Sequence, residues 1–172
     1  QGRAKEDGEI AKYQMLGTDM VALDAAAAKL YGMKPEDLGF VRIAGEMGAG
    51  KTAFAKGFGA ALGVTEPITS PTFTLVHSYQ AGKLTLHHAD IYRLSTHNEV
   101  ADLALAELLE YDGIVLIEWG DVVAGSLGDH LLVQLDAVDD DEQARVVTLS
   151  GVGPGWAARW QRVEVATGSF AC

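Results

Sequence analysis

Eight consecutive residues, Gly45 to Thr52, read GEMGAGKT and satisfy the pattern G-x-x-x-x-G-K-[ST]. Each fixed position has a task at a phosphate group. Gly45, Gly48 and Gly50 let the backbone turn tightly and bring its amides close to phosphate oxygens. Lys51 sets a cation on the terminal phosphates and Thr52 offers a hydroxyl to magnesium. A helix starting at this point adds the positive end of its dipole. The segment therefore predicts an anion cradle for ATP carried with Mg2+. Its nucleotide contacts would be Glu46, Met47, Gly48, Ala49, Gly50, Lys51, Thr52 and Ala53.

Magnesium at such a loop is commonly held by a further acidic group at the end of a nearby strand. Glu118 closes the apolar run IVLIE and is the first candidate, which with Thr52 makes the metal pair. Asp90 follows LTLHHA and is the second acid. It can orient or deprotonate an attacking water, or hold a metal-bound water. Lys51 and Asp90 are thus the candidate catalytic residues. His87 and His88 are adjacent on an expected strand, so they point to opposite faces and read as packing or hydrogen-bonding groups. Ser70-Pro71-Thr72 reads either as a phosphate-sensing switch or as an ordinary turn. Trp119, Trp156 and Trp160 read as core or interface aromatics. Arg93 reads as a charge stabiliser or a surface ion pair.

These residues need a frame. FVRIA (40–44) is a short apolar, β-branched run leading into the loop, and AFAKGFGAALG after it reads as a helix ending near Gly63. TFTLVHSY (72–79) and LTLHHADIY (84–92) alternate and are joined by a turn at 80–83, which predicts a β-hairpin. A helix capped by Asn98 is expected through about Glu110, with Val100, Leu103, Ala104, Leu108 and Leu109 as its apolar face. GIVLIEW (113–119) has the continuous apolarity of a central strand covered on both faces. HLLVQLD and ARVVTLS predict a second hairpin around Asp139 to Glu142. Trp156 and Trp160, at i and i+4, predict a short closing helix. An Ala-rich helix is expected from Thr18 to Leu30. The fold class is α/β, a single domain with a mixed, mostly parallel central sheet, antiparallel hairpins and flanking helices. Residues 1–16 are expected to be a flexible segment, 17–165 the domain and 166–172 a tail.

The 172 residues are 48% hydrophobic and 22% charged, a balance suited to one domain with a real core. No stretch approaches 18 apolar residues, and the lone Cys172 permits no intramolecular disulfide. A cytoplasmic protein without membrane contact is expected. With 24 acidic residues against 13 Lys and Arg, the formal net charge is -11. A polyphosphate backbone would be repelled, so contact with nucleic acid is expected only through partners.

GEMGAGKT, ITSPTFTLVHSY, HHADIYRL and GIVLIEWGD together resemble, in order and rough spacing, the TsaE (YjeE) family of P-loop ATPases, across about residues 18–160. The resemblance implies ATP hydrolysis in support of the TsaD and TsaB proteins, which transfer a threonylcarbamoyl group to the adenosine beside the tRNA anticodon. It implies Lys51 and Thr52 as phosphate and magnesium residues, Glu118 as the acidic magnesium residue and Asp90 as the other required acid. Ser70 to Thr74 would form a switch-like segment. Met20 and Asp24 depart from the family pattern in a region that the resemblance implies lies near the nucleotide base. Two rivals remain: a P-loop small-molecule kinase, and a nucleotide-dependent binding module without turnover. Such kinases usually carry an Arg-rich lid over the phosphates, and this chain has no paired arginines between Thr96 and Arg145.

Overall fold

The structure, a computed structural model, describes residues 9–17, 38–48, 50–94, 96–101, 103–110, 113–123, 125–139 and 141–168. The expected helix over Thr18 to Leu30, the departures at Met20 and Asp24, and Cys172 lie outside them. Seven strands are described: β1 (Glu9–Gly17), β2 (Phe40–Ala44), β3 (Val76–Ala81), β4 (Leu84–Asp90), β5 (Gly113–Glu118), β6 (His130–Val138) and β7 (Asp141–Val152). They form one sheet in the order β1-β7-β6-β2-β5-β4-β3. The inner four, β6, β2, β5 and β4, run parallel to one another. β3 pairs antiparallel with β4, and β7 with both β6 and β1. This is the mixed sheet with antiparallel hairpins that the sequence predicts. β1 differs from expectation, because residues 9–16, within the segment expected to be flexible, join Gly17 in pairing along β7.

The sheet is covered on both faces. Helix α1 (Lys51–Leu62) lays Phe54, Phe58 and Leu62, spaced i, i+4 and i+8, on one face against Ile43, Leu86 and Leu116. It ends where expected. The Gly63 amide donates to Ala60 O and the Val64 amide to Gly59 O, a Schellman motif that needs the left-handed φ of 91° at Gly63. Gly59 lets α1 approach closely, since a Cβ there would collide with Ile68. The same face carries α3 (Trp160–Thr167), with Trp156 and Trp160 both buried in that core as the closing helix predicts, although Trp156 sits in a preceding 3-10 turn. The opposite face buries Phe40, Ala89, Ile91, Val115 and Ile117 beneath Val100 and Leu105.

Three local expectations are corrected. The helix expected over 98–110 is only α2 (His97–Ala101), followed by turns and a 3-10 segment at Glu107–Leu109. Val100 and Leu105 both enter the core, yet five residues at about 100° each would set them about 140° apart on a continuous helix. The break at Ala104, with φ 48°, resolves that conflict. The cap is Thr96, not Asn98: Thr96 Oγ1 accepts from the Glu99 amide, and Glu99 Oε2 accepts from the Thr96 amide. The first hairpin strand starts at Val76 rather than Thr72, because Leu75 takes φ 63° and Thr72 turns its hydroxyl elsewhere.

His130 at the start of β6 gives the stability a pH dependence. Its Nδ1 donates to Gly128 O at 2.8 Å, and its buried Nε2 has no hydrogen-bond partner among the described residues. Burial pushes its pKa below the usual value, against the Gly128 bond that raises it, with Arg42 lowering and Asp129 raising it further. Burial also lowers His87. As the pH falls below about 6.5, the unfolded chain takes up protons that the folded chain resists, so this stabilisation is full above that pH and lost below it. Thermal unfolding is expected at a lower temperature at acid than at neutral pH. His130→Asn should flatten that decline in parallel melting curves, and an unchanged slope would contradict the assignment.

Candidate functional site

The carboxyl ends of parallel strands are where open α/β sheets place ligand sites, and three such ends converge here. β2 runs into the Gly45–Thr52 loop, β4 ends at Asp90 and β5 ends at Glu118. Because β4 and β5 are parallel in register, Asp90 lies directly beside Glu118. The loop turns through φ values of 137°, 82° and 100° at Gly45, Gly48 and Gly50, conformations that side-chain-bearing residues rarely adopt. No Cβ at Gly48 would meet another atom, so backbone conformation rather than crowding requires that glycine.

Lys51 begins α1 with its side chain buried. Its Nζ donates to Gly45 O and Glu46 O, each at 2.8 Å, and lies 3.7 Å from the centre of the Trp119 ring. Trp119 has a φ of 61°, turning its ring over the lysine just after β5 ends, with Tyr92 tilted against it at 4.9 Å. Such backbone costs about 1–3 kcal/mol and tends to persist where function holds it. Trp119 is therefore part of the site, not only a packing aromatic.

Glu118 is 2% exposed and divides its two oxygens. Oε2 accepts from Thr52 Oγ1 at 3.4 Å, and Oε1 lies 2.8 Å from His88 Nε2. Thr52 and Glu118 thus offer two hard oxygen donors side by side at the start of α1. That set fits a magnesium ion whose remaining ligands are water and phosphate oxygens.

Asp90 is also buried. Oδ2 accepts from Ser70 Oγ at 2.8 Å and Thr72 Oγ1 at 3.0 Å, and Oδ1 accepts from the Tyr92 amide at 3.1 Å. The Ser70 and Thr72 hydroxyls lie 2.7 Å apart. Of the two readings of Ser70-Pro71-Thr72, the structure supports more than an ordinary turn, because it ties the segment to the acid.

These groups line one cleft of about 310 Å3, which brings together Met47, Gly48, Gly50, Lys51, Thr52 and Ala53 with Asp90 and Glu118. Of the expected nucleotide contacts, Glu46 instead lines a neighbouring cavity of about 680 Å3 that shares Met47 and Gly48 and is also lined by Asp136, Asp139 and Arg145. Ala49 lies outside the described residues. Arg93 stacks over the exposed Phe73 at 4.8 Å. His87 and His88 do face opposite ways: His87 meets Ser78 Oγ at 2.8 Å, away from the cleft. The alternation that separates the two histidines also puts His88 and Asp90 on one face, a signal that could have linked His88 to the acids. Among the described residues no helix is long and apolar enough to cross a membrane.

Residues 17–147 match the family described as "Threonylcarbamoyl adenosine biosynthesis protein TsaE". Similar proteins named "tRNA threonylcarbamoyladenosine biosynthesis protein TsaE" include that of Bacillus subtilis, 39% identical over 121 residues, covering 70% of this chain and 73% of that one. That of Treponema pallidum is 43% identical over 95 residues, covering 55% and 70%. That of Streptomyces coelicolor is 39% identical over 123 residues, covering 68% and 82%. The crystal structure of Bacillus subtilis YdiB is similar with a TM-score of 0.71 at 24% identity, over 92% of this chain and 96% of that one, which shows a shared fold.

Proposed function

The chain belongs to the TsaE family, and from that premise we propose that it binds and hydrolyses ATP in support of threonylcarbamoyl modification of tRNA. Its partners in this reading are the TsaD and TsaB proteins, which carry out the transfer at the adenosine beside the anticodon. The observation that carries the reading is the convergence of Lys51, Thr52, Asp90 and Glu118 on one cleft at the mouth of a glycine loop.

Loop amides and the N-terminus of α1 hold the phosphates, and Lys51 leaves the Gly45 and Glu46 carbonyls to bind their terminal oxygens. Thr52 and Glu118 would hold magnesium, which neutralises charge on the phosphates when bound. Asp90 orients the attacking water or accepts its proton. Its bonds to Ser70 and Thr72 tie that act to the 70–72 segment, whose movement on losing the terminal phosphate would be felt by a bound partner. The larger cavity beside Met47 and Gly48 has room for the nucleoside. The net charge of -11 directs the chain to proteins rather than to the tRNA itself.

One observation favours a second reading. Asp90 accepts hydrogen bonds from Ser70, Thr72 and the Tyr92 amide, so it can act as a latch for a nucleotide-dependent binding module without turnover. Complex formation with TsaD and TsaB, measured by size exclusion with and without ATP, tests the proposal. Nucleotide-dependent assembly is expected. Failure to assemble under either condition would remove the proposed partners.

A further inference from the structure

His88 is wholly buried, yet only one of its ring nitrogens is used. It lies on β4 opposite Leu116, two residues before Asp90 and on the same face of the sheet, the face that packs on α1. Nε2 sits 2.8 Å from Glu118 Oε1, while Nδ1 is buried without a hydrogen-bond partner among the described residues. Facing a carboxylate oxygen, which only accepts, Nε2 carries a proton and donates it to Oε1. An apolar side chain at this position would leave no buried nitrogen unpaired, and a buried polar group without a partner is unfavourable. Packing alone therefore does not account for a histidine here. What it adds is the bond to Glu118.

We infer that His88 is a positioning residue for Glu118: it holds Oε1 inside the sheet so that Oε2 faces Thr52 and any metal ion shared with a nucleotide. The Glu118 side chain ends a strand at the mouth of the cleft and, without that donor, can rotate about its own torsions. Fixing one oxygen selects the rotamer in which the other points to the start of α1. Outer groups that orient a ligating carboxylate typically contribute about 10–100-fold to metal affinity. The inference rests on the proposed binding of a magnesium nucleotide at this cleft.

The test compares two amides of different reach. In His88→Gln the amide nitrogen extends as far as Nε2 and can donate to Oε1; in His88→Asn it falls short. ADP binding is measured by calorimetry with magnesium and again with EDTA, and the ratio of the two affinities reports the contribution of the ion. His88→Gln should keep that ratio within about threefold of the unaltered protein. His88→Asn should lower it about tenfold while leaving the affinity in EDTA within about threefold. His88→Ser, equally short, replaces His88→Asn if the latter does not fold. In a Glu118→Gln background the His88→Asn change should lower the ratio no further, because His88 acts through the carboxylate. A short variant with an undiminished ratio, or a His88→Gln protein as impaired as His88→Asn, would overturn the inference. If the unaltered protein binds ADP without any magnesium dependence, the magnesium-nucleotide reading itself fails, and the inference falls with it. That outcome is visible before any His88 variant is compared.

Discussion

Lys51→Ala should reduce ATP affinity about a hundredfold or more, measured by calorimetry in the presence of magnesium. Two charge-assisted hydrogen bonds at about 1.5 kcal/mol each already correspond to a factor of that size. The structure adds a second reason. Lys51 Nζ bridges the carbonyls of Gly45 and Glu46 and lies against Trp119, so its loss also removes the clamp that keeps the loop wound at the start of α1. Arginine should not restore the wild-type value, because a planar fork does not replace a compact ammonium between two carbonyls. The fold should survive, since Phe54, Phe58 and Leu62 still anchor α1 to the sheet. An affinity unchanged by Lys51→Ala would place the nucleotide elsewhere.

Asp90→Ala should behave in the opposite sense, keeping nucleotide affinity within about threefold while phosphate release falls about 10²–10⁴-fold, the usual contribution of a positioned acid–base group. Asp90 reaches the cleft from the end of β4, beside Glu118, and makes no contact with the Gly45–Thr52 loop among the hydrogen bonds described for it. Its removal also frees the hydroxyls of Ser70 and Thr72, so partner affinity should lose part of its dependence on nucleotide. If Asp90→Ala hydrolyses ATP normally, the water-orienting role is wrong. If the unaltered protein releases no phosphate and Asp90→Ala still loses nucleotide-dependent partner binding, the binding-module reading gains.

The loop chemistry was legible because it is contiguous: Gly45 to Thr52 carry the backbone, the cation and the hydroxyl within eight residues. Strand ends were legible as well, since an apolar run terminating in an acid, as at Glu118, marks where a buried strand meets the ligand edge. What lies between strands was harder. His88 against Glu118 and Trp119 over Lys51 depend on the register of β4 on β5 and on a left-handed turn after β5; strand alternation hints at the first by setting His88 on the face of Asp90, but the turn leaves no local signature. The helix expected after Asn98 failed because apolar spacing cannot reveal a break, here imposed by the need to bury both Val100 and Leu105. The Thr96–Glu99 capping box, in contrast, is a contiguous T-x-x-E pattern and a stronger start signal than Asn98. β1 escaped because its neighbour in the sheet, β7, lies more than a hundred residues away.

The most direct test of the account is phosphate release from magnesium ATP by the purified protein, alone and with the TsaD and TsaB proteins, beside the Lys51→Ala variant. The account predicts slow release alone, a change in rate when the partners are added, and loss of release in Lys51→Ala. Absence of release under both conditions, or release undiminished by Lys51→Ala, would contradict it.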